Sequence, residues 1–275
     1  MTSLPARAQA LLDTAVMHRS TCGAGYLQWQ QWSDRDAGPL LLLLHGGFGS
    51  WTHWLANIEE LRQHREVWTV DLPGLGSSGD IFRSATAAHF AAMLTPGLKH
   101  LLGARSYQLA AFSFGAMVGA ELAAQTSCER FYAIGAAGCG DLHVQVPLAP
   151  PPPADTPWSA AVDVHRQNLS ALMFSADFEI DELAVQLHAD NLARARFNSR
   201  GLSRTNAFLD RLPGIGAELV GIWGCVDATA GDAAAIDARR LVFENHGGSF
   251  ETLEGVGHWA MYEAPERVNS ILLTP

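Results

Sequence analysis

Charge is scarce in this 275-residue chain: 17% of residues are Asp, Glu, Lys or Arg, and 18 basic residues face 28 acidic ones. The net charge of −10, with histidines counted neutral, and the lack of any Lys/Arg run exclude the basic footprint of a nucleic-acid binder. Cysteine is sparse too. Cys22, Cys128, Cys139 and Cys225 show no Cys-x-x-Cys spacing and read as buried thiols rather than a disulfide frame. No histidine pair has a spacing such as H-E-x-x-H, so no metal site is expected. Long apolar runs are missing: the longest, Leu40–Leu44, is far too short to span a bilayer. Met1–Ser20 has no basic start followed by a long apolar stretch and does not read as a signal peptide. The expectation is a soluble, cytoplasmic protein that contacts neither nucleic acid nor membrane, with a homodimer left open. What the chain does have is apolar material. Hydrophobic residues make up 48%, enough for a large buried core.

Short runs rich in Val, Ile, Leu and aromatics recur without polar alternation, at Gly38–Leu44, Val67–Leu72, Tyr107–Phe112, Arg130–Gly135 and Leu219–Trp223. Strands buried on both faces of a parallel sheet read this way. Between them Trp51–Gln63, Ala87–Leu102 and Phe114–Gln125 are long enough for crossover helices. The alternation predicts a doubly wound, mostly parallel α/β sheet. Ala15–Thr21 and Tyr26–Trp32 predict an antiparallel opening pair joined at Gly23–Gly25. After Gly140 the rhythm breaks. Pro147–Pro157 is a proline-dense linker, and two amphipathic helices are predicted beyond it, one from Trp158 to Met173 and one over Asp181–Arg200. The pattern resumes at Pro213. A core of residues 1–140 and 213–275 carrying a helical cap over 141–212 is therefore expected.

Four local patterns carry chemistry. Ala111-Phe112-Ser113-Phe114-Gly115 joins a strand to a helix of small residues, and so sharp a turn strains its serine and needs small neighbours two residues either side. An N-cap serine is the plain alternative. His45-Gly46-Gly47-Phe48-Gly49 follows a buried strand and leaves main-chain N–H groups free to meet an oxyanion. Ile222-Trp223-Gly224-Cys225-Val226-Asp227 sets an acid past a late strand, and Gly255-Val256-Gly257-His258-Trp259 sets a histidine in a glycine-rich bend. Asp141 is a fallback acid. Gly74-Leu75-Gly76-Ser77-Ser78-Gly79 fits G-x-G-x-x-G, but no helix opens there, and a nucleotide role is rejected.

Serine, then aspartate, then histidine, each at a strand's end, is the chain order of α/β-hydrolases. His45-Gly46-Gly47, Asp71-Leu72-Pro73-Gly74-Leu75-Gly76-Ser77-Ser78, Phe112-Ser113-Phe114-Gly115, Trp223-Gly224-Cys225-Val226-Asp227 and Gly257-His258-Trp259 resemble that superfamily's successive landmarks over nearly the whole chain. The resemblance implies an α/β-hydrolase fold with an eight-stranded sheet and an inserted cap. It implies Ser113 as nucleophile, His258 as base and Asp227 as the acid that orients it, with the amides of Gly47 and Phe114 as oxyanion hole and no cofactor. A small-molecule substrate, a mainly apolar ester, is expected. Epoxide hydrolases and haloalkane dehalogenases of this fold place a carboxylate where Ser113 stands, which points away from both.

The chain is also similar to hydrolases that cleave ring-opened aromatic products at a carbon–carbon bond, through His45-Gly46-Gly47, Gly257-His258-Trp259, Glu263 and the arginines Arg194, Arg196 and Arg200. That likeness implies Arg196 and Trp259 as substrate contacts; Phe48, in the glycine loop, is a further candidate contact. It departs at Phe112, where those enzymes carry Asn. A non-catalytic receptor on the same fold is the third reading. Trp158, Leu169, Leu172, Met173, Phe174 and Phe178 are expected to roof the pocket, with Trp51, Trp54, Phe48 and Phe114 as its walls.

Overall fold

Five consecutive leucines, Leu40–Leu44, run through the middle of the protein, and all five are buried. Their side chains alternate: Leu40, Leu42 and Leu44 join one apolar cluster and Leu41 and Leu43 the other. An unbroken apolar run is what a strand covered on both faces requires. The computed structural model describes residues 4–23, 25–33, 40–153 and 155–274. Gly38 and Pro39 of the predicted first core strand, Ala24 of the predicted turn and Ala154 of the linker lie outside the described residues.

Eight strands form one sheet: β1 Val16–Cys22, β2 Gly25–Trp32, β3 Leu40–Leu44, β4 Val67–Val70, β5 Tyr107–Phe112, β6 Cys128–Ile134, β7 Glu218–Gly224 and β8 Ser249–Leu253. Their order is β1-β2-β4-β3-β5-β6-β7-β8. β1 pairs antiparallel with β2, and β2 antiparallel with β4; every other pairing is parallel. The expected doubly wound sheet with an antiparallel opening pair is what forms. β8 escapes an apolar-run reading because it is an edge strand, with its buried residues Phe250 and Leu253 among exposed ones.

The helices are α1 Ala6–Leu12, α2 Leu55–Leu61, α3 Ala87–Leu102, α4 Phe114–Ala123, α5 Trp158–Leu172, α6 Glu182–Arg194, α7 Arg200–Ser203, α8 Ala233–Asn245, α9 Ala260–Glu263 and α10 Pro265–Leu273. α3, α4 and α8 cover one face through Phe90, Leu94, Met117 and Phe243. α2 and α10 cover the other through Ile58, Leu61, Val268 and Leu272. The predicted helix from Trp51 begins as a 3₁₀ turn over Trp51–Trp54, capped by the Ser50 hydroxyl, and becomes α-helical at Leu55.

α5, α6 and α7 are inserted between β6 and β7. The Asn168 side chain bonds both the N–H and the C=O of Ala149, which pins the proline-rich linker to α5. On α6 the buried Asn191 accepts from the Ser50 hydroxyl at 2.7 Å and so ties this helix to the loop after β3. The second helix ends earlier than predicted, at Arg194 rather than Arg200. Ala195 turns extended, Arg196 N–H and Phe197 N–H both donate to Gly74 O, and the Phe197 ring buries against Phe90 and Phe114. Burying that ring outweighs one more helical turn. Phe197, Phe208 and Leu212 thus join one core cluster, while Leu169 of α5, Met173 just after it, and Ala184, Val185 and Leu187 of α6 pack into the cluster on the sheet's other face.

α4 approaches β3 closely because residue 115 has no side chain: a Cβ there would overlap His45 O. Gly115→Ala is expected to cost about 1–3 kcal/mol, the usual range for overpacking. Urea unfolding measures it, and an unchanged midpoint would mean α4 can move away freely.

Candidate active site

The chain leaves β3 for β4 on one side and returns to β5 on the other. This reversal opens a crevice at the carboxyl ends of β3 and β5, where ligands bind in open α/β sheets. A cavity of about 150 Å³ lies there. Ser113 sits on its floor, at the turn from β5 into α4, with φ +52°. Phe48, in the loop after β3, has φ +54°; among the described residues these two alone combine a side chain with left-handed φ. Both line the cavity. Such conformations cost on the order of 1–3 kcal/mol each and persist where the surroundings enforce them. For Ser113 the enforcement is visible: its N–H donates to Ile134 O at 2.9 Å, and its C=O accepts from Ala116 and Ala137.

His258 Nε2 lies 3.1 Å from Ser113 Oγ, and its Nδ1 lies 2.8 Å from Asp227 Oδ2. The other carboxylate oxygen, Oδ1, accepts from the N–H and the hydroxyl of Thr229, each at 2.8 Å. Burial pushes the Asp227 carboxyl up, but His258 and the two Thr229 donors outweigh it and hold the group below its ordinary value. An ionised Asp227 assigns the proton to His258 Nδ1 and leaves the Nε2 lone pair facing the serine hydroxyl. Glu263 accepts from Gly257 N–H at 2.9 Å and from Ser175 N–H, fastening the histidine loop to the segment after α5.

The glycine loop after β3 packs against the serine. A Cβ on Gly46 would come 2.8 Å from the Phe112 ring, and one on Gly47 would overlap Ser199 Oγ and lie 3.5 Å from Phe114 Cβ. His45 Nε2 accepts from Leu72 N–H at 2.8 Å, so its Nδ1 carries the proton and donates to Gly46 O. Burial lowers the His45 pKa to about 4 despite the Gly46 carbonyl, and the ring stays neutral near pH 7. The amides of Gly47 and Phe114 meet no acceptor among the described residues. A strained serine beside an imidazole and a carboxylate, with two open amides, is an arrangement that can activate a hydroxyl and receive an oxyanion.

The sequence matches the Alpha/beta hydrolase family over residues 41–271. The chain belongs to that family. Among solved structures of similar fold is carboxylesterase CesB from Bacillus subtilis, with a TM-score of 0.70 at 20% identity over 97% of this chain and 94% of that one. The enol-lactonase from Burkholderia xenovorans LB400 has a TM-score of 0.68 at 18% identity, over 93% of this chain and 98% of its own. A serine hydrolase involved in carbazole degradation, the CarC enzyme, has a TM-score of 0.71 at 17% identity, covering 94% and 97%. These likenesses are of fold. No curated protein matches the sequence.

In this hydrolase Ser113, His258, Gly47, Phe48 and Phe114 all line the cavity, with Asp227 directly behind His258. Two expected contacts do not. Arg196 follows the end of α6 and turns outward over the loop 74–80, bonding Asp80 Oδ1, Ser78 O and Arg194 O. Arg200 takes a place on the cavity wall instead, its guanidinium 5.4 Å over the Phe48 ring. Trp259 is 1% exposed and packs in the core, its indole N–H bonding His53 O. Asp141 is exposed and plays no part in the relay. Of the expected roof, Leu172 and Met173 line the cavity, while Trp158 faces solvent and Phe174 stacks on Phe178 and Trp259. Trp51 and Trp54 are core residues.

Sequence reasoning missed His53, His143, His188 and Thr229, and the wall made by Val144–Val146 and Leu148. Thr229 had a readable signal, a hydroxyl two residues after the acid. No helix among the described residues is long and apolar enough to cross a membrane, and none of their His, Cys, Asp and Glu side chains gather in threes as a metal site would need.

The loop fitting G-x-G-x-x-G wraps a carboxylate rather than a phosphate. Asp71 accepts from Trp51 N–H at 2.9 Å and Ser77 N–H at 2.8 Å, and a Cβ on Gly76 would overlap it. Burial raises the Asp71 carboxyl from 3.8 to about 6 despite these donors. A folded-state pKa above the unfolded one means that protons are taken up on folding between about pH 4 and 6, so this group's contribution falls as pH rises through that window. The size is roughly 3 kcal/mol for a shift of about two units. Asp71→Asn, neutral at every pH, is expected to lose that slope. Urea unfolding from pH 4 to 7 checks it, and parallel curves for the two proteins would mean that Asp71 titrates normally.

Proposed function

We propose that this hydrolase is a serine esterase acting on a small, mainly apolar carboxylic ester through an acyl-enzyme. The observation that carries the reading is the continuous chain Asp227–His258–Ser113, at 2.8 and 3.1 Å, ending on the cavity floor. Ser113 Oγ attacks the ester carbonyl while His258 Nε2 takes its proton. Asp227 keeps the imidazole in the required tautomer and stabilises the imidazolium that forms. The amides of Gly47 and Phe114 bind the oxyanion, a contribution worth about 3–4 kcal/mol per donor in such sites. His258 returns the proton to the departing alcohol, and water attacking the acyl-enzyme repeats the sequence. Helices α5 and α6 act as the cap, with Leu172, Met173 and Leu192 facing the acyl group.

Cavity size supports a small substrate. A void of about 150 Å³ is close to what holds one benzene molecule in an engineered protein core. The carbon–carbon reading keeps one cap arginine, Arg200, on the cavity wall, but it is weaker: Arg196 and Trp259 do not line the cavity, and the apolar Phe112 ring does. A receptor role is weaker too, since it leaves a strained serine and a buried relay without a use.

The test is labelling with a fluorophosphonate, followed by p-nitrophenyl esters of increasing length. Wild-type protein should label at Ser113 and Ser113→Ala should not, with kcat on p-nitrophenyl butyrate lowered by about 10⁴-fold or more. Butyrate should be cleaved faster than decanoate. An alanine variant that keeps turnover would remove Ser113 from the mechanism, and preferential cleavage of a ring-opened dienol acid would move the reading to carbon–carbon hydrolysis.

A further inference from the structure

We propose that His53 is a positioning residue for the oxyanion loop: its neutral imidazole accepts the Gly46 N–H and thereby holds the next amide, Gly47 N–H, toward the carbonyl oxygen bound over Ser113. The proposal rests on the serine-hydrolase reading above and assigns a role to a residue outside the relay.

Gly46 N–H donates to His53 Nδ1 at 3.2 Å. An imidazole nitrogen accepts only through a lone pair, so Nδ1 is bare and the proton of His53 sits on Nε2. On the far side, Gly46 C=O accepts from His45 Nδ1–H at 2.8 Å and from Gly49 N–H at 3.3 Å. One glycine is therefore gripped at both its polar atoms by two imidazoles in opposite tautomers. The Gly46–Gly47 peptide is planar and trans, so its N–H points opposite to its C=O. Directing Gly46 C=O at His45 sets where Gly47 N–H points, and His53 keeps Gly46 from rotating.

His53 is itself held from three sides. A Cβ on Gly49 would overlap the ring at Cε1. The ring lies edge-on to Phe112 at 5.4 Å and against Trp259 at 5.1 Å, the neighbours of Ser113 and His258. Trp259 Nε1–H also donates to His53 O at 2.8 Å. One side chain thus touches the loops that carry the oxyanion amide, the serine and the base. The strained Phe48 follows Gly47 directly, and strain of this kind lasts only where neighbours over-determine it.

The role needs an uncharged ring, since protonation of Nδ1 would remove the acceptor. The titratable groups facing His53 are His45 at the end of β3, His188 on α6 and His258. None is a carboxylate. Burial first, then these three imidazoles, push its pKa well below the usual histidine value. His53 therefore stays an acceptor near pH 7.

The experiment compares His53→Phe, which keeps the ring but loses the lone pair, with His53→Asn, whose Oδ1 can accept near the Nδ1 position. On p-nitrophenyl acetate, His53→Phe should lower kcat about 30-fold with KM within about twofold, less than the loss of a whole oxyanion donor. His53→Asn should return kcat to within about fivefold of wild type. Wild-type kcat in the Phe variant, an equal fall in both variants, or a change confined to KM would overturn the proposal. Labelling of wild type at Ser113 by the fluorophosphonate separates such a failure from failure of the serine-hydrolase reading, in which wild type itself would not label. Should neither variant fold, ¹⁵N histidine spectra of wild type decide: a neutral Nε2–H tautomer for His53 from pH 5 to 8 supports the clamp, and an Nδ1–H tautomer or an imidazolium overturns it.

Discussion

Asp227 holds its carboxylate where water hardly reaches, at 1% exposure, and an isolated charge there would be prohibitively costly. Three donors make it tolerable: His258 Nδ1 on one oxygen, and the N–H and hydroxyl of Thr229 on the other. Much of the site follows from satisfying that charge. The histidine must present Nδ1 to it, which leaves Nε2 for Ser113. The loop bearing His258 must come close to the loop after β7, and it does so through Gly224, where a Cβ would overlap the carbonyls of Val256 and Gly257. Glu263 fastens the outer side of the same bend. A buried charge with all its partners in place specifies one geometry better than packing alone can.

The same economy governs the serine side. Ser113 can stay strained because α4 is pressed onto β3 at Gly115, and because Ile134 O on β6 holds its amide. The loop after β3 can then run within contact distance of Phe112, since Gly46 lacks a side chain. Each close approach removes room for the backbone to relax. That is how a left-handed serine survives at the head of a helix where a capping serine would be the low-energy choice.

The parts legible in the sequence were those decided by short-range chemistry. A serine with small residues two positions either side at a strand end, an acid after a buried strand and a histidine among glycines are each set by local backbone needs, and Ser113, Asp227 and His258 meet in space as their patterns suggest. β3 was legible because five leucines admit few readings. The illegible parts were settled by tertiary contact. The periodicity of α6 runs on past Arg194, but Phe197 finds a better place between Phe90 and Phe114 and breaks the helix, which moves Arg196 outward and brings Arg200 inward. Trp259 follows His258 in sequence, yet the bend that aims His258 at Ser113 sends the indole into the core. His53 lies in a Thr-His-Trp turn with no local signature; its importance comes from a glycine seven residues earlier.

The cavity's polarity follows from how its histidines are paired. His53, His143, His188 and His258 all reach it, and among the described residues only His258 has a carboxylate partner. Burial is the first cause pushing the other three below the ordinary histidine range, His188 to about 3, with neighbouring imidazoles adding to it. Those rings remain uncharged walls near pH 7, able to share hydrogen bonds but not to draw anions. Arg200, set over Phe48 at the rim, is the cavity lining's permanently charged side chain. For the neutral ester proposed as substrate, the positive charge that matters is the one that would form on His258 as it takes the serine proton. In the proposed mechanism Asp227, bonded to His258 Nδ1, stabilises that charge as it forms, so its contribution falls on proton transfer at the serine and not on the binding of substrate.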